Sequence, residues 1–175
     1  SDTPLDHGLD NHGTMMVGIL VADGHLKGAA PGVSLSVAAA LGEQEGGETV
    51  GETSLVAKAV EWCWKVMGAD VISLSLGGMQ DENATSGKEV EDAVSEALSK
   101  GVFVVAAAGN DGGSTDDGLV SSPANVPLVI SVGASVEGGG VWESSSKDTS
   151  TTSPDGSPRE DPNLKPELIA PGHDL

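Results

Sequence analysis

Asp70-Val71-Ile72-Ser73-Leu74-Ser75-Leu76-Gly77-Gly78 is the stretch on which the fold turns. Branched and leucine side chains alternate with serines, and a glycine pair stops the run, which predicts a strand over 70–76. Downstream, Ser86 to Lys100 has helical periodicity. Val90, Ala93, Val94, Ala97 and Leu98 share one face, while Lys88, Glu89, Glu91, Glu96 and Lys100 cover the other. Gly101 ends that helix, Val102 to Ala107 is a second apolar strand, and Leu128 to Val132 predicts a third, shorter one. Upstream, Thr53 has the character of a helix N-cap. After it Leu55, Val56, Ala59, Val60, Cys63, Val66 and Met67 recur at helical spacing as far as Gly68. That helix is apolar nearly all round and is expected to be well buried.

Strands alternating with helices in this order imply right-handed crossovers. The expected class is α/β, a three-layer doubly wound, mostly parallel sheet with helices on both faces. The outer segments fit the same plan. His12 to Val21, rich in small and apolar residues, predicts a short buried helix ended near Gly24. Val33 to Leu41 predicts a strand covered on both faces. Glu43 to Glu52 is acidic and Gly-rich, a loop, and Gly109 to Gly118 is a polar loop. Residues 143–166 are rich in Ser, Thr, Asp and Pro and predict an exposed loop, followed by a last short strand at Leu168 to Ala170. Sheets of this class place ligands at the carboxyl ends of their strands. Leu76-Gly77-Gly78, Ala108-Gly109-Asn110 and the segment before His12 therefore fall on one rim.

A length of 175 residues suffices for one hydrophobic core and predicts a single domain over 1–175. With one Phe, three Trp and no Tyr, the core must be aliphatic. There are 27 acidic and 8 basic residues, a formal charge of −19, so like charges repel across a small surface. Concentrated salt would screen that repulsion. Two readings stand, a salt-adapted protein and an ordinary acidic secreted one. Duplex nucleic acid is excluded as a partner, because binding it depends on Lys and Arg neutralising phosphates. No apolar run reaches the ~18 residues of a membrane span, so no membrane partner is expected. Cys63, the lone cysteine, lies in an apolar helical run and is expected to be a buried, inert thiol.

Asn11-His12-Gly13-Thr14, opening an apolar helix, has two readings: a capping or solvated histidine, or a catalytic one. Spacing distinguishes them. His12-Gly13-Thr14 is followed by Ser75-Leu76-Gly77-Gly78 and then by Ala107-Ala108-Gly109-Asn110. Together these blocks resemble the subtilisin-like serine peptidase family, in family order. Gly28-Ala29-Ala30-Pro31 and Ile169-Ala170-Pro171-Gly172 resemble the family's strand-entry and pre-nucleophile segments, so the likeness runs from Asp10 to Gly172.

The resemblance implies a serine endopeptidase acting by a Ser-His-Asp mechanism, with His12 as general base and Asn110 as side-chain donor to the oxyanion. Ser75, Leu76 and Gly77 would offer a backbone edge that a polypeptide substrate joins as an added strand. Ala107, Ala108 and Gly109 would wall the pocket for the residue before the scissile bond. Asp111 either favours a basic side chain there or is a solvated loop carboxylate.

Asp2-Thr3-Pro4 imitates the family's aspartate tripeptide without a strand before it, and Asp6 and Asp10 are expected to be surface carboxylates. The Gly-Thr-Ser nucleophile block is absent. Ser121, Ser122 and Ser144 to Ser146 lack the strand-to-helix setting of a nucleophile and are expected to be ordinary loop residues. The aspartate and serine are therefore expected outside this chain, which would be a partial peptidase domain, silent alone, with the rest of the peptidase as its partner. No cofactor is assignable. Calcium is possible by resemblance, yet Asp23-Gly24-His25-Leu26-Lys27 is a shortened version of the loop that would hold it, and no metal ligands are assigned. Extracellular location follows from the resemblance alone. The competing class is a catalytically degenerate subtilisin-like module that binds peptides or partners. A nucleotide-binding domain would need a Gly-x-Gly-x-x-Gly turn or Walker lysine, and neither is present.

Overall fold

The structure, a computed structural model, describes residues 11–43, 49–78, 80, 85–114, 116–153, 155–159 and 164–173. Asp2, Asp6 and Asp10 lie outside the described residues. The elements in chain order are α1 (His12–Val21), β1 (Gly42–Glu43), β2 (Thr49–Val50), α2 (Thr53–Lys65), β3 (Val71–Leu74), α3 (Thr85–Ser99), β4 (Phe103–Ala107), β5 (Ile130–Ser135) and β6 (Leu168–Pro171).

β3, β4, β5 and β6 form one parallel sheet in that order, with Ile72 beside Val104, Ala106 beside Ser131 and Gly133 beside Ile169. It is the α/β, doubly wound architecture that the strand–helix alternation predicts, a parallel sheet flanked by helices. α2 and α3 pack on each other and reach β3 and β4 respectively. Side chains alternate across a strand, so one face of the sheet presents Ile72, Leu74, Val104 and Ala106 to Val56, Val60, Val90, Ala93, Val94 and Ala97 of the helices. Val120, Ala124, Val126 and Val129, from the connection between β4 and β5, complete this aliphatic core. On the opposite face Val71, Phe103 and Leu168 are exposed.

Several local expectations are corrected. α1 has its expected bounds but no buried residue. An apolar helix is buried only where another apolar surface meets it, and among the described residues α1 touches no other helix or strand. Its neighbours are the residues that follow it: Gly28 N donates to Ala22 O at 2.7 Å and Ala30 N to Leu20 O at 2.7 Å. Residues 33–41 form no strand, and Val33, Leu35 and Val37 are exposed, because β-forming side chains without a neighbouring edge have no ladder to join. The acidic stretch after Leu41, expected as loop, carries the short antiparallel pair β1–β2, with residues 44–48 outside the described set.

α2 is less buried than its composition suggests. Only Val56 and Val60 are covered, since only the face toward α3 and β3 has a partner, and Leu55, Val66 and Met67 remain exposed. Thr53 is the first helical residue and Glu52 the cap position, without a side-chain cap bond. β5 runs two residues later than expected at its start, because Leu128 takes a left-handed φ of 68° that no strand tolerates.

The segment 143–166 is irregular as expected but not uniformly exposed. Ser145, Ser146, Asp148 and Lys165 are buried. Arg159 donates from both guanidinium ends to Asp148, at 2.9 and 2.5 Å, and this forked pairing holds the guanidinium above its already high range, against the opposing effect of burial. Asp148 Oδ1 also accepts from Val120 N at 3.3 Å. Lys165 donates to Val129 O at 2.5 Å and pairs with Glu167, whose other oxygen accepts from Ser131 N at 2.7 Å. Composition predicts solvent exposure; complementary charges pin the segment onto the sheet instead.

Candidate active site

The carboxyl ends of β3 and β4 lie side by side, because Leu74 stands beside Ala106 in a parallel ladder. Each strand leaves the sheet into one predicted block: Ser75-Leu76-Gly77 from β3 and Ala108-Gly109-Asn110 from β4. A shared loop ties the two together. Gly78 N donates to Ser122 O at 3.0 Å and Ser122 N to Gly78 O at 2.9 Å, while Ser121 N donates to Ala108 O at 2.7 Å.

Both glycines of the rim pack on Ser121. A Cβ at Gly77 would lie 2.8 Å from Ser121 Cβ, and a Cβ at Gly109 would overlap Ser121 Oγ and lie 2.8 Å from Ser146 Oγ. Gly109 also holds φ at 115°, so glycine is required there twice over. At Gly77 the required absence of a side chain is on the side of the molecule's own loop, a reason the sequence does not disclose. The residues that follow Ser121 are held by α3. Glu91 Oε1 accepts from Ser122 Oγ at 2.8 Å and from Asn125 Nδ2 at 3.0 Å.

Asn110 is exposed, and the backbone on both sides of it is bonded to one segment. Ser146 N donates to Gly109 O at 3.0 Å, Asp111 N donates to Ser146 Oγ at 2.9 Å, and Gly112 N donates to Ser144 O at 3.0 Å. Ala107 is exposed, whereas Ala108 is buried in the core at 1% exposure, so Ala108 can offer a pocket only its backbone. Ser75 and Gly77 are exposed and Leu76 is half-buried. His12 is exposed at the first position of α1, after Asn11 in a left-handed conformation with φ 51°. The structure thus brings the Ser75–Gly77 and Gly109–Asn110 blocks together. The helix of His12 makes no contact with the strands β3 and β4 from which those blocks leave.

Among the described residues no group of three or more His, Cys, Asp or Glu side chains is arranged to hold a metal ion. Asp116 and Asp117 instead accept from the backbone two residues on, at Gly118 N (2.7 Å) and Leu119 N (2.9 Å), which are local turn bonds. Among the described residues no helix is long and apolar enough to cross a membrane. Of the serines expected to be plain loop residues, Ser145 and Ser146 are buried hydrogen-bond acceptors, Ser145 Oγ receiving Ala134 N at 2.9 Å. Sequence reasoning took Ser121 and Ser146 for ordinary loop residues and Glu91 for part of a polar helix face. Two serines in loop stretches and one glutamate on a polar helix face carry no periodicity that could single them out.

A parallel sheet with a glycine-lined rim at the ends of two adjacent strands defines a doubly wound α/β domain, a class that places ligands at the strand ends. The sequence profile of the Subtilase family matches residues 2–174, and the chain belongs to that family. It is similar to subtilisin DY of Bacillus licheniformis, 35% identical over 71% of this chain and 43% of that protein. It is also similar to the major intracellular serine protease of Bacillus subtilis, 34% identical over 71% of this chain and 38% of that one. Among solved structures, the epidermin leader peptide processing serine protease of Staphylococcus aureus aligns with a TM-score of 0.66 at 26% identity, covering 78% of this chain and 37% of that one. The chain therefore spans about two-fifths of the length of these relatives.

Proposed function

We propose that this chain is the histidine-to-asparagine part of a subtilisin-like serine endopeptidase domain. In this reading His12 takes the proton of a nucleophilic serine and returns it to the leaving amine, and Asn110 donates its amide to the oxyanion. The serine and the aspartate that orients His12 come from polypeptide outside residues 1–175. The substrate is an extended polypeptide, laid along Ser75, Leu76 and Gly77 as an added strand, with the residue before the scissile bond held against Ala107, the backbone of Ala108, and Gly109.

The observation that carries the reading is the tie between the two blocks. Substrate edge and oxyanion loop leave adjacent strands and pack on the same Ser121. A reacting carbonyl bound at one is then within reach of the other, as acyl transfer requires. Residues 1–175 act as one partial domain. In this reading the acidic surface is an adaptation to concentrated salt, and a place outside the cell is what the resemblance to the family implies. Family membership alone does not select the compartment, since one relative's name places that relative inside the cell.

A fluorophosphonate probe and an unfolded protein substrate test the reading. The complete polypeptide containing this chain is expected to label and to cleave, its His12→Ala form to lose most of both, and residues 1–175 alone to do neither. Labelling of the isolated chain would reveal a nucleophile among its own serines. A second reading, a binding module with a degenerate triad, is favoured by the exposure of His12 and the absence of contact between α1 and the sheet. A folded complete polypeptide that binds peptides but neither labels nor cleaves would select it.

A further inference from the structure

Asn110 is exposed, so nothing in its own burial fixes where its amide points. The backbone on either side of it is held, and both sides end on one residue. Ser146, 1% exposed, uses its backbone N–H on Gly109 O at 3.0 Å and its hydroxyl oxygen on Asp111 N at 2.9 Å. The two bonds bracket Asn110 alone. Ser146 is in turn held by the sheet: next to it Ser145 Oγ accepts from Ala134 N of β5 at 2.9 Å, and Trp142 N donates to Ala134 O at 2.8 Å. Gly109 leaves room for this clamp, because a Cβ there would lie 2.8 Å from Ser146 Oγ.

We propose that Ser146 is the positioning residue that sets Asn110 as oxyanion donor. This rests on the peptidase reading of Asn110. Ser146 touches no reacting atom in this account; its hydroxyl oxygen holds the Asp111 amide, and through it the short backbone from which Asn110 projects. An oxyanion donor works only if it is aimed before charge develops. Losing the hydroxyl should therefore harm turnover while leaving substrate binding along Ser75–Gly77 intact.

The structural half is tested by amide hydrogen exchange on this chain. Asp111 N–H is expected to be protected in the wild type, and in Ser146→Ala to exchange roughly 10-fold or more faster while Val104 and Ala106 in β4 keep their protection. Asp111 exchanging in the wild type at the rate of an unstructured chain would overturn the clamp without any variant.

The catalytic half uses the complete peptidase and a cycle of Ser146→Ala with Asn110→Ala. Ser146→Ala is expected to lower kcat roughly 10-fold or more with KM little changed, and to do nothing further once Asn110 is alanine. Ser144→Ala, which leaves the backbone carbonyl used by Gly112 in place, should be neutral in both assays. Additive losses in the double variant would overturn the proposal and leave the role of Asn110 standing. If Asn110→Ala alone leaves kcat unchanged, the peptidase reading of Asn110 fails, and this assignment with it.

Discussion

The two faces of the central sheet carry similar residues and meet different surroundings. On one face Ile72, Leu74, Val104 and Ala106 are at most 8% exposed beneath α2 and α3. On the other, the neighbours of those residues along the same strands, Val71 and Phe103, are 57% and 64% exposed. Parallel strands are ordinarily buried on both sides, and these are apolar on both sides. α1 repeats the pattern, with apolar Met15 and Ile19 exposed. An apolar run states what a segment can bury, and its partner decides whether it does.

The clearest way to break this contrast is to attack the covered side through its polar clasp. Asp148→Ala strands Arg159 in a site only 19% exposed, and loss of one partner of a buried pair costs about 3–5 kcal/mol. Urea unfolding should show that loss, and a variant as stable as the parent would mean that the 145–167 segment does not hold the sheet.

Next in size, Val104→Ala on the covered face should cost about 2–3 kcal/mol. The adjacent Phe103→Ala on the open face should change stability by no more than about 0.5 kcal/mol. Equal costs would erase the distinction between the faces.

Smaller and more diffuse is the effect of salt. With a formal charge of −19, thermal melts should rise through a potassium chloride series as repulsion is screened. A flat series would remove the salt-adapted reading and leave the fold untouched.

The smallest expected effect is at Cys63, whose thiol is pushed up by burial. Because its folded value lies above the ordinary one, the neutral thiol favours the native state at neutral pH, and that contribution fades as pH rises through the raised value. Iodoacetamide should therefore alkylate Cys63 more slowly in the folded chain than in urea at mildly alkaline pH. Equal rates would show an open thiol.

Much of the sheet was legible because its signals are local. Asp70 to Leu76 and Val102 to Ala107 are punctuated by glycines, and α3 shows its covered face by spacing alone. Val33 to Leu41 misled for the opposite reason: its composition suits a strand, and pairing depends on an edge that composition does not contain. The clasp of Asp148, Arg159 and Lys165 was hidden because each charge, taken singly in a polar stretch, reads as solvated. At the candidate site, the Ser75–Gly77 and Gly109–Asn110 blocks were found from motif spacing. Ser121, Ser146 and Glu91 were not, because their roles are hydrogen bonds between segments distant in sequence.

The central claim is that Asn110 and His12 serve one reacting carbonyl laid along the rim at Gly77. Its most direct test is steady-state kinetics of the complete polypeptide with Asn110→Ala and His12→Ala on an unfolded protein substrate. Asn110→Ala is expected to lower kcat roughly 10²–10³-fold with KM little altered, the loss that removing such a donor causes in subtilisin itself. His12→Ala is expected to lose still more. Undiminished turnover in either variant would contradict the claim.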